Sequence, residues 1–296
     1  MGPLIDLPLI AGSFLVAVVV GLTGMGGGAL MTPMMMLFFN VPPLAAVSSD
    51  LVASAVMKPV GSVVHLRRGT VNLRLVGWLC AGSVPAAFCG VFVARAFAVG
   101  DGVKYALGVA LLLAVAGLAA KALLGGRGGT AEASEIVVRP IPTLLVGTVG
   151  GLIVGVSSVG SGSLIIVALI ALYPMLKANQ LVGTDLVQAV PLVTSAALGH
   201  LLFGDFQLHL TVSLLIGSIP GVYLGARISS RAPGGLIRAV LAVVLLASAL
   251  KLLNVGNTPT LWALAGAVAV IAAGRVWQVR AAARASSGSA DLVRAR

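Results

Sequence analysis

Two glycine-rich breaks interrupt otherwise apolar sequence: Thr23-Gly24-Met25-Gly26-Gly27-Gly28 and Ser157-Ser158-Val159-Gly160-Ser161-Gly162-Ser163. Residues of this kind hold anions. Glycine lets a ligand approach the backbone and tolerates positive φ. A helix that starts at such a break presents free N–H groups and the positive end of its dipole. The hydroxyls of Thr23, Ser157, Ser158, Ser161 and Ser163 add donors, and Gly26, Gly27 and Gly28 supply bare backbone. Each break could instead serve close helix packing through small residues. That a break recurs within sequence of membrane depth favours a ligand site, because backbone freed there must line a cavity or be buried.

Carboxylates come next. Asp50 in Ser48-Ser49-Asp50 and Asp185 in Gly183-Thr184-Asp185 occupy matching places. An acid inside a membrane is costly, and its default reading is functional. The competing reading is a helix cap, to which Ser49, Thr184 and the two Asp residues are suited. Lys58 follows Asp50 on about the same helix face, with Ser54 between them, and could pair with Asp50 or attract an anion. Gln188 is the further polar candidate on the second copy. An acid beside an anion site is electrostatically compatible only when protonated, so Asp50 and Asp185 are expected to couple proton movement or to order the site. His65 and His200 also match, and are expected to be interfacial or loop-ordering.

The elements that position these residues follow from composition. The chain has 296 residues, 59% apolar and only 9% charged, with a mean hydropathy of +1.11. A soluble domain carries about 25% charged residues. Disorder, a disulfide scaffold, a coiled coil and a cytosolic enzyme are excluded, leaving a polytopic helical membrane protein. The net charge of +11 sits in short loops and the tail, which is a topology pattern and not a nucleic-acid surface. Cys80 and Cys89 point to opposite faces of one segment and cannot pair with each other. The first residues lack Lys and Arg, so a cleavable leader is not expected.

Punctuation by Gly, Pro and charge gives segments at about 4–22, 28–39, 44–65, 71–97 and 103–124, then 142–157, 162–174, 179–202, 207–229 and 234–254, and a last one near 259–277. The halves repeat. Gly21–Leu30 aligns with Gly155–Leu164, and after one inserted residue Ser49-Asp50-Leu51-Val52 meets Thr184-Asp185-Leu186-Val187. His65 meets His200, Gly69 meets Gly204, and Gly82-Ser83-Val84-Pro85 meets Gly217-Ser218-Ile219-Pro220. The loop after the third segment carries Arg67, Arg68 and Arg74 in one copy and Asp205 in the other, so the positive-inside rule reads the copies as inverted. That places the N-terminus outside and the C-terminal tail in the cytoplasm. The organisation expected is a first repeat at 1–124, a cytoplasmic linker at 125–141, an inverted repeat at 142–254, and an extra membrane helix with a basic tail at 255–296. Segment 28–39 spans only about 18 Å, so the first two segments of each copy are expected to form a re-entrant hairpin.

No GxSxG, HExxH or CxxC set is present, the glycine-rich breaks do not continue into a P-loop, and the acids are too few for a metal cage. Neither enzyme chemistry nor a cofactor is expected. In the Gly21–Gly28 break, the run His65–Asn72, Gly183-Thr184-Asp185-Leu186, His200–Gly204 and Gly217–Gly221, the chain resembles the TauE/SafE sulfite-exporter family from about Leu7 to Leu253. The resemblance implies a cell-membrane permease for small sulfur-containing anions such as sulfite or organosulfonates. The chain departs from the commoner family pattern at Ser48-Ser49-Asp50 and Asp185, which points to proton coupling or another substrate. The reading is therefore an all-α secondary transporter working by alternating access. A passive anion channel, or a cation transporter using the paired Asp residues, stays open.

Overall fold

The computed structural model describes residues 5–23, 27–97, 101–124, 137–176, 178–229 and 234–272. The linker residues 125–136, Gly24–Gly26 of the first break, Lys177 and the basic tail lie outside the described residues. The described chain is helical: α1 Leu7–Thr23, α2 Gly28–Phe38, α3 Pro43–Arg67, α4 Leu73–Ala96, α5 Gly102–Leu124, α6 Pro140–Ser157, α7 Leu164–Leu172, α8 Ala178–Phe203, α9 Leu208–Ser229 and α10 Gly234–Leu252. A further apolar helix, α11, covers Asn257–Ala272. Contacts divide the chain into two units, Met1–Leu253 and Asn254–Arg296. In the second unit Thr260 bonds back to the Gly256 carbonyl at 2.8 Å.

Local chemistry sets the ends of these helices. Asn72 caps α4 by accepting from the Leu75 N–H at 3.2 Å. Pro140 opens α6 after the extended Arg139, where a missing N–H costs nothing. Asn40 and Gly69 take positive φ just past the ends of α2 and α3.

Among the described residues, five helices are long and apolar enough to cross a membrane: the spans Leu73–Ala96, Gly102–Ala120, Pro140–Ser157, Gln180–Phe203 and Leu208–Gly225. Pro140–Ser157 differs from expectation. It starts two residues earlier than the apolar pattern suggested, and that extra length makes it a full candidate span. The partners α2 and α7 have 11 and 9 residues, too short to cross a core of about 30 Å. Large apolar side chains face outward throughout, among them Leu7 at 73%, Leu202 at 68% and Tyr223 at 67% exposure. Such a shell suits lipid and not water.

Two apolar clusters fill the interior of the first unit. One gathers Met31, Met35, Leu107, Leu214 and Leu245, and the other Leu51, Leu75, Leu79, Ile165 and Leu192. Helix α3 supplies side chains to both, so it runs between them. Around it α1 packs on α9, α4 on α6 and on α8, α3 on α8, and α5 on α10.

The closest of these approaches run along glycine stripes. Gly147, Gly151 and Gly155 of α6 lie over the carbonyls of Leu79, Ser83 and Ala87 on α4. Gly217, Gly221 and Gly225 of α9 lie over those of Ile10, Phe14 and Val18 on α1. With little hydrophobic drive between helices in lipid, small residues that admit backbone-to-backbone packing supply the association. A Cβ at Gly147 or Gly217 would overlap a carbonyl oxygen. Gly147→Ala and Gly217→Ala should each lower stability by about 1–3 kcal/mol in detergent thermal unfolding. Gly77→Ala, where nothing lies within 4 Å, should leave stability unchanged or raise it. Equal effects at all three would refute packing through the stripes.

Candidate functional site

Asp50 is fully buried and lies well inside α3. Asp185, 2% exposed, lies equally far inside α8. Neither caps a helix. The capping reading fails because both third segments are already helical for about two turns before their acids.

The Asp50 carboxylate takes both of its hydrogen bonds on one oxygen. Oδ2 accepts from the Thr32 hydroxyl of α2 at 2.8 Å and from the Ser158 hydroxyl, just past α6, at 2.8 Å. Oδ1 is buried with no partner among the described residues. Ser158 closes α6 in the left-handed region, with φ of 58°. An L-residue there costs about 1 kcal/mol, and glycine would be the default. The hydroxyl that glycine lacks is the one that reaches Asp50. At this point Gly28, the first residue of α2, lies directly against the Ser158 carbonyl, and a Cβ on it would overlap that oxygen. The two glycine-rich breaks therefore touch, backbone to backbone, beside Asp50.

Two turns along α3, the Lys58 ammonium donates to the Ser161 hydroxyl at 2.5 Å. It lies within electrostatic reach of both Asp185 and Asp50. Gln188, also fully buried, donates to Asp185 Oδ1 at 3.3 Å, and its own Oε1 accepts from Ser83 at 3.4 Å. Short helix α2 starts at Gly28 and α7 starts just after Ser163, so both helix starts adjoin this cluster. Met31 and Met57 lie beside Gly27.

The structure thus brings together Gly27, Gly28, Asp50, Lys58, Ser158 and Ser161, with Asp185 and Gln188 opposite. Other expected residues turn elsewhere. Ser49 donates to the Gln207 carbonyl at 3.4 Å, and Thr184 accepts from the Asn72 N–H at 3.1 Å, tying the α3–α4 loop to α8. Ser157 bonds within its own break, to the Ile153 carbonyl at 2.7 Å and from the Val159 N–H at 3.2 Å. Ser163 precedes α7 without capping it. Gly26 and the Thr23 side chain lie outside the described residues.

The histidines diverge. His65 orders its loop, as expected, through the Thr70 hydroxyl at 3.0 Å. His200 is not interfacial. It is fully buried, with Nε2 2.7 Å from the Gly155 carbonyl and Nδ1 2.8 Å from the Ser48 hydroxyl. A carbonyl only accepts, so Nε2 carries the proton. The ring braces the chain two residues before Asp50 and three before Ser158. Thr32 and Ser48 were missed as site residues. The visible signal for Thr32 was a single hydroxyl in a methionine-rich apolar helix.

A family model described as "Sulfite exporter TauE/SafE" matches residues 9–252. "Probable membrane transporter protein YjnA" of Bacillus subtilis (strain 168) is 37% identical over 245 residues, covering 80% of this chain and 96% of that protein. "Probable membrane transporter protein YdhB" of the same organism is 23% identical over 229 residues, covering 77% and 92%. No solved structure matches the chain. No group of three or more metal-ligating side chains occurs among the described residues, and both relatives are named as probable membrane transporters. With its helices, lipid-facing shell and duplicated breaks, the chain belongs to the sulfite exporter TauE/SafE family of multi-pass membrane transporters.

Proposed function

We propose that this protein carries small sulfur-containing anions, such as sulfite (in its singly charged, protonated form) or organosulfonates, across the cell membrane by proton-coupled alternating access. The substrate would sit where the two breaks meet, between α3 and α8. The observation that carries this reading is the position of Lys58, bonded to Ser161 and within electrostatic reach of two carboxylates. Its charge offsets one carboxylate. The starts of α2 and α7 contribute roughly half a positive charge each, which offsets the other. The centre is thus near neutral when empty. One added proton leaves about one positive charge, the complement of a monoanion. An anion without a proton would meet a centre already balanced.

The two halves are read as inverted repeats. The repeat in sequence supports this, as does the exchange by which α1 packs on α9 while α6, its counterpart, packs on α4. Motion of one half against the other would then expose the centre to each side in turn. The basic loops favour an external N-terminus and a cytoplasmic tail. The unpartnered Asp50 Oδ1 favours one rival, a monovalent cation in place of the proton.

Labelled sulfite counterflow in proteoliposomes, competed by thiosulfate, sulfate, organosulfonates, acetate and cations, tests the carrier reading. Inhibition by sulfur oxyanions, with accumulation driven by a pH gradient, is the expected result. Cation-dependent binding that strengthens as pH rises, without sulfite counterflow, would replace the anion by a cation. Large conductance without counterflow would indicate a channel. Lys58→Met should raise the half-saturating sulfite concentration roughly tenfold to a hundredfold, the worth of a charged hydrogen bond. An unchanged value would remove Lys58 from the site.

A further inference from the structure

We propose that Asp50, and not its matched partner Asp185, is a proton-operated latch that holds the two glycine-rich breaks together. The role of this latch in a transport cycle rests on the reading above; the latch itself rests on geometry.

One oxygen of Asp50 accepts from both sides of the junction, Thr32 on α2 and Ser158 after α6. These donors belong to different halves of the chain. They meet where Gly28 lies against the Ser158 carbonyl. Asp50 therefore bonds the two breaks at their point of backbone contact. Its other oxygen, buried and without a partner among the described residues, is where a proton can bind without displacing either hydroxyl. That proton turns a charged acceptor into a neutral one. Bonds to an ionised acceptor are roughly twice as strong as neutral ones, so both weaken together. The breaks can then part at Gly28 and Ser158.

Asp185 is not equipped in this way. The position matching Ser158 is Gly24, which has no hydroxyl, and those matching Thr32 are the apolar Ile166 and Val167. Gln188, one turn along its own helix, donates to Asp185 instead, whereas the position matching Gln188 is Ala53. The repeat thus duplicates the acid but not the two hydroxyl positions that reach Asp50.

The titratable and charged groups around Asp50 are few. Lys58 comes from its own helix, and Asp185 of α8 lies within electrostatic reach of that Lys58. His200 of α8 acts through Ser48. Helix α2 and the second break present Thr32 and Ser158. On α9, His209 and Arg227 are exposed, and on α5, Lys104 pairs with Asp101 at the helix start.

Hydrogen exchange of the full chain in nanodiscs, without substrate, tests the latch by following amides 28–32 and 157–163. After correction for intrinsic rates, acidification should speed wild-type exchange in both segments on the order of tenfold. Asp50→Asn, which imitates the neutral acid, should exchange fast throughout the acid-to-neutral range, and Asp185→Asn should keep the wild-type response. A flat wild-type profile, a wild-type response in Asp50→Asn, or loss of the response in Asp185→Asn would overturn the latch. If Asp50→Asn does not fold, the double variant Thr32→Val with Ser158→Ala takes its place. It should also exchange fast and independently of pH, and wild-type behaviour there overturns the proposal. Wild-type counterflow, measured alongside, separates the two ideas. Its absence defeats the anion reading, while the exchange data decide the latch.

Discussion

A carboxylate buried among helices in lipid has no water to turn to, so its donors must come from the protein. Asp50 meets that constraint through a hydroxyl on α2 and another just past α6. Much of the surrounding structure follows from this. Ser158 takes a left-handed backbone that aims its hydroxyl inward. Gly28 lacks a side chain, and so the second break can come close enough for that hydroxyl to reach. His200 braces Ser48 and the Gly155 carbonyl, next to the acid and next to its donor.

The same bilayer explains how the scaffold holds together. The outward faces are apolar, so burial against lipid distinguishes little between one helix pairing and another. Specificity falls to steric fit. Gly147, Gly151 and Gly155 form one stripe and Gly217, Gly221 and Gly225 another, each resting on a ladder of backbone carbonyls. In each of these pairs, α6 on α4 and α9 on α1, one helix leads into a break: α6 into the second and α1 into the first. Rigid packing along the stripes and a sparse set of polar bonds at the breaks therefore sit side by side.

Polar residues near the centre divide by what they bond. Ser49, Ser157 and Thr184 engage main-chain groups and hold loops and breaks in place. Asp50, Lys58, Ser158 and Ser161 engage one another across helices, while Gln188 bonds Asp185 along α8 and Ser83 across to α4. Only the second group has charges and side-chain bonds that a ligand or proton can redistribute.

The amino-acid sequence by itself determined the membrane class, the helix limits to within a few residues, the two breaks and the matching of Asp50 with Asp185. All of these rest on composition, on local punctuation, or on a repeat that can be read along one line. Tertiary structure alone decided what each polar side chain meets. Spacing placed Lys58 on the Asp50 face of α3, but its nearest bond is to Ser161, from the other half of the chain. Cap-like residue types around Asp50 and Asp185 suggested helix starts, and both acids proved to be mid-helix. Thr32 is visible in the sequence only as a lone hydroxyl in an apolar helix, and its partner is undefined until the neighbour that helix faces is known. Partners three or four residues apart are set by helical geometry. Partners more than a hundred residues apart, such as Asp50 and Ser158, depend on how whole helices rotate and pack, and that is settled by glycine stripes and carbonyl ladders meeting in three dimensions.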